Sequence, residues 1–293
     1  MTINDLFIQT LKNHWNSDRF NLSGWAKEAE RIYKSSISSR FGSKQINKVS
    51  AKDIRNWHKE LADTPVAANR ALNVLSKMYS YAEEQDLKPQ GTNPCKLVKP
   101  HKEKKRKRYA TPEELKRISA ILNEEKERNL KAVAFIYLLM FSGARPRSIE
   151  RATWGDLTFL DHEGKTFGLL TFEGKSTAST GEAEQVIIPP QGVELLLKLD
   201  KKSPTICGIK MPKDFWNRVR KKAGCPDLWA RDLRRTFATI GLSSGESSGV
   251  IGELLNHKSA NTTKIYTQLI QTKKLEATNS IADSITQIIR MAK

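Results

Sequence analysis

Apolar side chains recur at helical spacing through the first third of this chain. Ile3, Phe7 and Leu11 follow one another at four-residue intervals, which places them on one face of a helix. Ser50 precedes a second segment with the same period and is a residue type that commonly begins helices. The pattern predicts a domain of about four or five helices over residues 1–98, with its apolar and aromatic stripes in the core.

The pattern changes in the second part of the chain. A Thr-Pro-Glu-Glu signal for a helix start precedes two predicted helices, around 112–123 and 128–141. Residues 166–172 and 185–188 then have a strand-like pattern and are separated by Gly- and Ser-rich turns. From Pro212 the helical period returns. The sequence therefore predicts a fold that is mainly α with a small antiparallel β-sheet (α+β).

Composition narrows the choice of partners. Lys and Arg number 50 against 32 Asp and Glu, so the formal net charge is +18. A chain this basic favours a polyanionic partner, either nucleic acid or an acidic membrane. The longest apolar run, Ala132 to Phe141, is about half the length that spans a bilayer. The amino terminus has no secretory stretch, and the three Cys lack metal-ligand spacing. We expect an intracellular, soluble protein with reduced cysteines, no metal and no membrane partner.

A basic block separates the two parts of the chain. Residues 101–110 contribute +5 to the net charge and follow two prolines, which is typical of a linker between domains. A solvated loop is one interpretation. The density of cations favours a segment that follows DNA phosphates. The predicted DNA-binding residues are Lys102, Lys104, Lys105, Arg106, Lys107 and Arg108.

Candidate chemistry is confined to the second part. Each residue has an ordinary explanation when it is taken alone: a helix cap, a solvated turn, a surface ion pair, a hydrogen-bonded histidine or a core tyrosine. Their order along the chain, an Arg, a Lys, an Arg-x-x-Arg pair, a His and a Tyr nine residues later, makes a shared site the better hypothesis. The candidate catalytic residues are Arg145, Lys175, Arg231, Arg234, His257 and Tyr266.

These motifs resemble the tyrosine recombinases, the phage-integrase superfamily, and in particular integrases of mobile elements. The resemblance covers nearly the whole chain. The similar segments are Ser-Gly-Ala-Arg-Pro at 142–146, Gly-Lys at 174–175, Asp-Leu-Arg-Arg-Thr-Phe-Ala-Thr at 232–239, Asn-His at 256–257, Thr-Thr-Lys-Ile-Tyr at 262–266, and in the first part Thr-Pro-Val-Ala-Ala-Asn-Arg at 64–70 and Asn-Pro-Cys at 93–95.

The resemblance implies a domain organisation. Residues 1–98 would form a helical, SAM-like core-binding domain that contacts DNA, and residues 99–110 a basic interdomain linker. Residues 111–293 would form the catalytic domain with a carboxy-terminal tail helix. Together the two domains would close as a C-shaped clamp around DNA.

Three positions depart from the family pattern. Ser148 stands where the family usually has Glu, and Arg231 stands where it usually has His or sometimes Lys. Asn256 replaces the usual Gly before the later His. The Arg231 departure matters most, because Arg supplies charge but does not exchange protons near neutral pH.

The residue types suit transfer of a DNA phosphodiester. Arg145 and Arg234 can hold the non-bridging oxygens, on which negative charge grows in the transition state. Tyr266 is expected to attack the phosphorus and form a 3′-phosphotyrosine intermediate. His257 would donate a hydrogen bond or pass a proton, and Lys175 would protonate the leaving 5′-hydroxyl. Because these side chains supply the positive charge, no metal, ATP or other cofactor is expected.

The resemblance favours a site-specific recombinase that integrates or excises a mobile element. Three alternatives stay open: a type IB topoisomerase-like activity, Xer-like resolution, and a DNA-binding relative without catalysis. Expected partners are double-stranded DNA, a homotetramer on DNA formed from monomers or dimers, and a host DNA-bending protein. The expected location is the cytoplasm at the nucleoid, in a protein of bacterial or phage origin.

The tail of the chain carries a short apolar stripe. Ile281, Ile285 and Ile288 or Ile289 recur at three- and four-residue spacing. A stripe of this length needs a surface to pack on. That surface could be the chain's own domain, but the resemblance implies a neighbouring protomer, which is the surface we expect.

Overall fold

Residues 1–15, 23–104, 106–172, 183–256 and 267–290 are described by a computed structural model. The chain divides into two units, Met1–Arg106 and Lys107–Lys293. The division falls inside the basic segment that the sequence predicts to be a linker.

The described residues of the first unit form helices joined by turns and irregular loops, with a single β-bridge. Its α-helices are α1 (Ile3–Thr10), α2 (Ser23–Ile32), α3 (Ser38–Phe41), α4 (Ala51–Glu60) and α5 (Pro65–Glu84). Single π-helical segments, Leu11–Trp15 and Tyr33–Ile37, extend α1 and α2. Short 3₁₀ turns lie at Ile46–Lys48 and Pro94–Leu97.

Capping and packing explain these helices. Thr2 and Ser50 each accept a hydrogen bond from the backbone of the third helical residue, whose Asp side chain bonds back to the cap. Phe7 stacks on Tyr33 with 3.8 Å between the ring centroids, inside a core that contains most of the predicted apolar stripe. Leu11 packs at the edge of that core and is only partly buried.

Part of the basic segment is held against the first unit. The side-chain amide of Asn69 donates to the carbonyl oxygen of His101 at 2.9 Å and to Glu103 Oε1 at 2.8 Å. The backbone N–H of His101 donates in return to Asn69 Oδ1 at 2.8 Å. The imidazole of His101 also stacks on that of His58, with 4.0 Å between centroids.

The second unit combines helices with a sheet. Its helices are α6 (Pro112–Glu124), α7 (Leu130–Ser142), α8 (Pro146–Arg151), α9 (Pro190–Leu196), α10 (Lys213–Lys222), α11 (Asp232–Ser243), α12 (Ser248–Leu254) and α13 (Thr267–Arg290). Its strands are β1 (Leu157–His162), β2 (Lys165–Phe172) and β3 (Glu184–Ile188). The mainly α fold with a small antiparallel sheet is confirmed.

The sheet has the order β1-β2-β3, and both pairings are antiparallel. Leu157 lies opposite Leu170 in the first pairing, and Gly168 lies opposite Ile188 in the second. The sequence pattern predicts β2 and β3 to within one residue but misses β1. That strand has no fully buried residue, so its alternation of apolar and polar positions is weak.

Helix α7 lies at the centre of the second unit. Its residues from Ala132 to Ser142 are all buried, as expected for a helix that is apolar on every side. The long apolar run in the sequence is therefore core. In the parts of the chain that the structure describes, no helix is both long and apolar enough to cross a membrane.

The three cysteines are buried and unpaired with one another. Burial raises the pKa of Cys207 to about 12 and that of Cys225 to about 11, and it raises the pKa of Cys95 further. Thiols with such pKa values are poor nucleophiles, so these residues act as small apolar core groups.

The tail helix α13 packs on its own unit. Ile281 and Ile285 are fully buried in the same core as α7. Gly241 of α11 permits this approach, because a Cβ there would lie 2.9 Å from Ile281 Cδ1. In the structure, the apolar stripe of the tail packs on the chain's own domain.

Candidate active site

The first arginine is positioned by the end of α7. Gly143 ends this helix with a φ of +62°, a left-handed conformation that favours glycine. A Cβ at Gly143 would also lie 2.7 Å from Phe237 Cδ1, so the position excludes larger residues by space as well. The chain then turns, and Arg145 lies directly before α8 with its side chain half exposed.

The second arginine is fixed by the backbone. Arg234, in the first turn of α11, donates from Nη1 to the carbonyl oxygen of Gly143 at 3.0 Å. Its Nη2 donates to the carbonyl oxygen of Leu255, the residue that follows α12. These two bonds tie α7, α11 and α12 together at the guanidinium.

The two arginines interact electrostatically. Burial lowers the pKa of Arg234 to about 10, the positive charge of Arg145 lowers it as well, and the negative charge of Glu184 opposes both effects. A guanidinium with this pKa stays protonated at neutral pH. The site therefore holds two permanent positive charges, one of them desolvated, where an anion would gain from both.

Glu184 is a member of this cluster that sequence reasoning missed. Its Oε1 accepts from Ser148 Oγ at 2.7 Å and lies 3.5 Å from Arg145 Nη1. Its Oε2 accepts from Arg151 Nη2 at 3.1 Å. A partial signal was present, since Glu184 directly precedes the predicted strand pattern at 185–188 and Ser148 departs from the recombinase pattern. Pattern alone does not show that strand and helix meet.

The Asn256 departure has a local explanation. Its φ is +48°, where Asn is the most tolerated residue after Gly. The side-chain amide donates to the carbonyl oxygen of Gln185 at 2.6 Å, and the N–H of Gln185 donates to Asn256 Oδ1 at 3.3 Å. Asn256 thus keeps the turn conformation and binds the start of β3.

Arg231 lies at the exposed start of α11, three residues before Arg234. The neighbouring Asp232 is buried and forms an ion pair with Arg235 at 2.7 Å, which anchors this end of the helix. Among the described residues, the structure brings Arg145 and Arg234 together and records no hydrogen bond or ion pair from Arg231 to either.

Three of the predicted catalytic residues lie outside the described residues: Lys175, His257 and Tyr266. Asn256 directly precedes His257, and helix α13 begins at Thr267, directly after Tyr266.

The predicted DNA-binding cations differ in their surroundings. Lys102, Lys104 and Lys107 are exposed, Arg106 is partly buried, and Lys105 lies outside the described residues. Arg108 forms ion pairs with Glu114 at 2.6 Å and with Asp227 at 2.8 Å. These ion pairs neutralise its charge within the second unit, so Arg108 anchors the segment and is a weaker candidate for phosphate contact than the exposed lysines.

Comparisons with known proteins find similar recombinases and integrases. No protein-family model matches the chain. A tyrosine recombinase of Thermosipho africanus (strain TCF52B) is 24% identical over 260 residues, covering 81% of this chain and 87% of that protein. A solved lambda integrase tetramer bound to a Holliday junction has a TM-score of 0.66 at 17% identity, covering 90% of this chain and 80% of that chain. A Tn1549 transposon integrase in complex with circular intermediate DNA has a TM-score of 0.61 at 14% identity, covering 92% and 99%. At these identities the structural likenesses establish a shared fold.

Proposed function

We propose that this chain is a tyrosine recombinase, which cleaves and rejoins DNA at specific sites to integrate or excise a mobile element. The observation that carries the proposal is the pair of cationic side chains, Arg145 and Arg234, held at the junction of α7, α8, α11 and β3. A fixed pair of guanidinium groups is suited to a phosphodiester that gains negative charge during reaction.

Arg234 has donors to spare for a phosphate. A guanidinium carries five N–H groups in one plane. Two of the five are used on the carbonyl oxygens of Gly143 and Leu255. The remaining donors would be oriented by those two bonds before DNA arrives, so little reorganisation is needed when charge develops.

The covalent step is proposed for Tyr266. Its oxygen would attack the phosphorus, form a 3′-phosphotyrosine and release a 5′-hydroxyl, which Lys175 would protonate. His257 would donate a hydrogen bond to the phosphate. Attack by a 5′-hydroxyl on the phosphotyrosine then rejoins a strand without ATP, because the phosphodiester energy is kept in the protein–DNA bond.

The wider assembly is proposed from charge and relatives. The exposed Lys102, Lys104 and Lys107, with Lys105 and Arg106, would follow the DNA backbone between a core-binding unit and a catalytic unit. The related lambda integrase forms a tetramer on a Holliday junction, and we propose a homotetramer on DNA for this chain. We also propose that a host DNA-bending protein takes part and that the protein is located at the nucleoid.

A covalent-capture experiment tests the function. The full-length protein is incubated with a library of duplexes of random sequence, and DNA that stays attached after denaturation with detergent is recovered and sequenced. We expect a defined sequence to be enriched and to be attached through its 3′-phosphate. A duplex of that sequence with a nick beside the cleavage position should then trap the adduct, since the short strand diffuses away.

Tyr266→Phe is the decisive variant. It should form no adduct while it binds the selected duplex almost as tightly, because only one hydroxyl is lost from a large charged interface. Tyr109→Phe, which changes an exposed tyrosine of the second unit, is the matched control and should react normally. An adduct formed by Tyr266→Phe would assign the nucleophile elsewhere. Binding without any adduct in the unmodified protein would favour a DNA-binding relative without catalysis.

A further inference from the structure

One largely buried carboxylate meets three side chains from α8 and the residue that precedes it. Arg145 lies directly before α8, and Ser148 and Arg151 follow it on the helix at three-residue intervals. All three meet Glu184, at 3.5, 2.7 and 3.1 Å respectively. Glu184 comes from the first position of β3, on a different element.

The burial of Glu184 makes this convergence more than a surface ion pair. Its side chain is 13% exposed, whereas the side chain of Arg145 is 50% exposed. A carboxylate removed from water needs donors, and Glu184 obtains them from both oxygens. Arg151 is itself held over the ring of Phe172 at 4.5 Å, so the carboxylate is bounded by groups that are also fixed.

The backbone of Glu184 is held from two sides. In the sheet it lies opposite Phe172 of β2. On the other side, the next residue, Gln185, exchanges two hydrogen bonds with the side chain of Asn256. The start of β3 is therefore connected both to the sheet and to the turn whose Leu255 carbonyl receives Arg234.

The charge of Glu184 acts on both arginines. Two guanidinium groups repel each other, and the charge of Arg145 lowers the pKa of Arg234. Glu184 works in the opposite direction on Arg234 and attracts Arg145 directly. Without this carboxylate, a half-exposed Arg145 would gain by turning into solvent, away from the second positive charge.

We propose that Glu184 is a positioning residue, which holds Arg145 beside Arg234 so that both guanidinium groups face the same phosphate. Ser148 and Asn256 serve this arrangement, the first by donating to the carboxylate and the second by fixing its strand. The proposal rests on the proposed strand-transfer function.

The first test is single-turnover cleavage of the nicked duplex by Glu184→Gln. This variant keeps the size of the side chain and removes its charge. We expect adduct formation to slow by about 10- to 100-fold, a range typical of a misplaced catalytic group. The affinity for the duplex should change by less than about twofold, since a loss confined to the transition state lowers the rate and leaves ground-state binding intact. Glu194→Gln, an exposed carboxylate on α9, is the matched control and should react normally.

A swap separates positioning from general stability. Because Ser148 Oγ lies 2.7 Å from Glu184 Oε1, a carboxylate carried by position 148 can reach the same donors. We expect Glu184→Ser to be slow and the double variant Glu184→Ser with Ser148→Glu to recover at least about tenfold in rate, equivalent to roughly 1.4 kcal/mol of barrier. A purely structural role for Glu184 gives no reason for this rescue.

A second readout does not depend on DNA. The protein is labelled with ¹⁵N-arginine, and the NMR signal of the Arg145 Nε–H group is assigned by its loss in Arg145→Lys. In Glu184→Gln this signal should shift, and its proton should exchange faster with water. Neither change is expected in Glu194→Gln. Unchanged Arg145 signals, or a cleavage rate of Glu184→Gln within about twofold of the unmodified protein, would overturn the proposal. Absence of an adduct in the unmodified protein would instead count against the strand-transfer function, and the Arg145 signals would then decide the positioning role by themselves.

Discussion

The packing of the tail helix can be tested by replacing one side chain, Ile281→Ala. Ile281 is fully buried and belongs to the core of the second unit. It lies against α11 at Gly241, where the missing side chain lets the two helices come close. The substitution keeps the helix propensity of α13 high, since Ala is a strong helix former. Its effect therefore reports on the packing alone.

The expected cost follows from the atoms removed. Ile→Ala deletes three carbons, which at about 0.8 kcal/mol per buried carbon is about 2.4 kcal/mol of transfer free energy. A cavity adds to this figure because the helices around the site relax only in part, so the total should lie within about 2–5 kcal/mol. A unit of this size should lose about 10 °C in its midpoint of thermal unfolding.

The measurement is urea unfolding of the full chain at widely different protein concentrations. Hydrogen exchange locates the loss of protection, which should lie in the second unit. Leu242→Ala is the matched control, because Leu242 is a half-exposed aliphatic residue on α11. Its cost should stay within about 0.5 kcal/mol.

Two results would refute the reasoning. A cost for Ile281→Ala no larger than that for Leu242→Ala would mean that the stripe is not part of the unit's core. A cost that appears only at high protein concentration would mean that the stripe packs on a second protomer, because stabilisation by association depends on concentration.

Two further predictions concern local conformation and pH. Gly143→Ala should destabilise the second unit by about 2–5 kcal/mol, from the left-handed backbone plus the clash with Phe237. Gly164→Ala, at a φ of +70° in open space, should cost only about 1–2 kcal/mol in the same urea experiment, and equal costs would contradict the clash. In the first unit, burial and the charge of His101 lower the pKa of His58 below 6.5, so the unfolded state binds the proton more readily. Stability should therefore be complete above pH 6.5 and fall as the pH decreases below it, by at most about 1.4 kcal/mol per pH unit for this group. His58→Gln should reduce that slope, and a slope that His58→Gln leaves unchanged would contradict the assignment.

Much of the architecture could be read from the sequence, because it depends on short-range rules. Helical spacing and capping residues act over one or two turns, so α1, α4, α6 and α7 are visible from pattern alone. The resemblance to tyrosine recombinases was likewise visible in the order of Arg, Lys, Arg-x-x-Arg, His and Tyr, since that order needs only residue types and spacing. The structure shows the arginine pair of that set together.

Tertiary structure decided the features that depend on contacts between distant parts of the chain. Glu184 and Ser148 are 36 residues apart, and no local rule connects a strand residue to a helix face. The cations of the basic segment looked equivalent in sequence. The ion pairs of Arg108 with Glu114 and Asp227 make this residue a weaker candidate for contact with DNA phosphates. The sequence did not decide which surface the apolar stripe of the tail packs on. In the structure it packs on the chain's own core, where Gly241 on α11 leaves space for it. In each case the deciding quantity is a distance or a buried area between elements, and periodicity along one element contains no information about either.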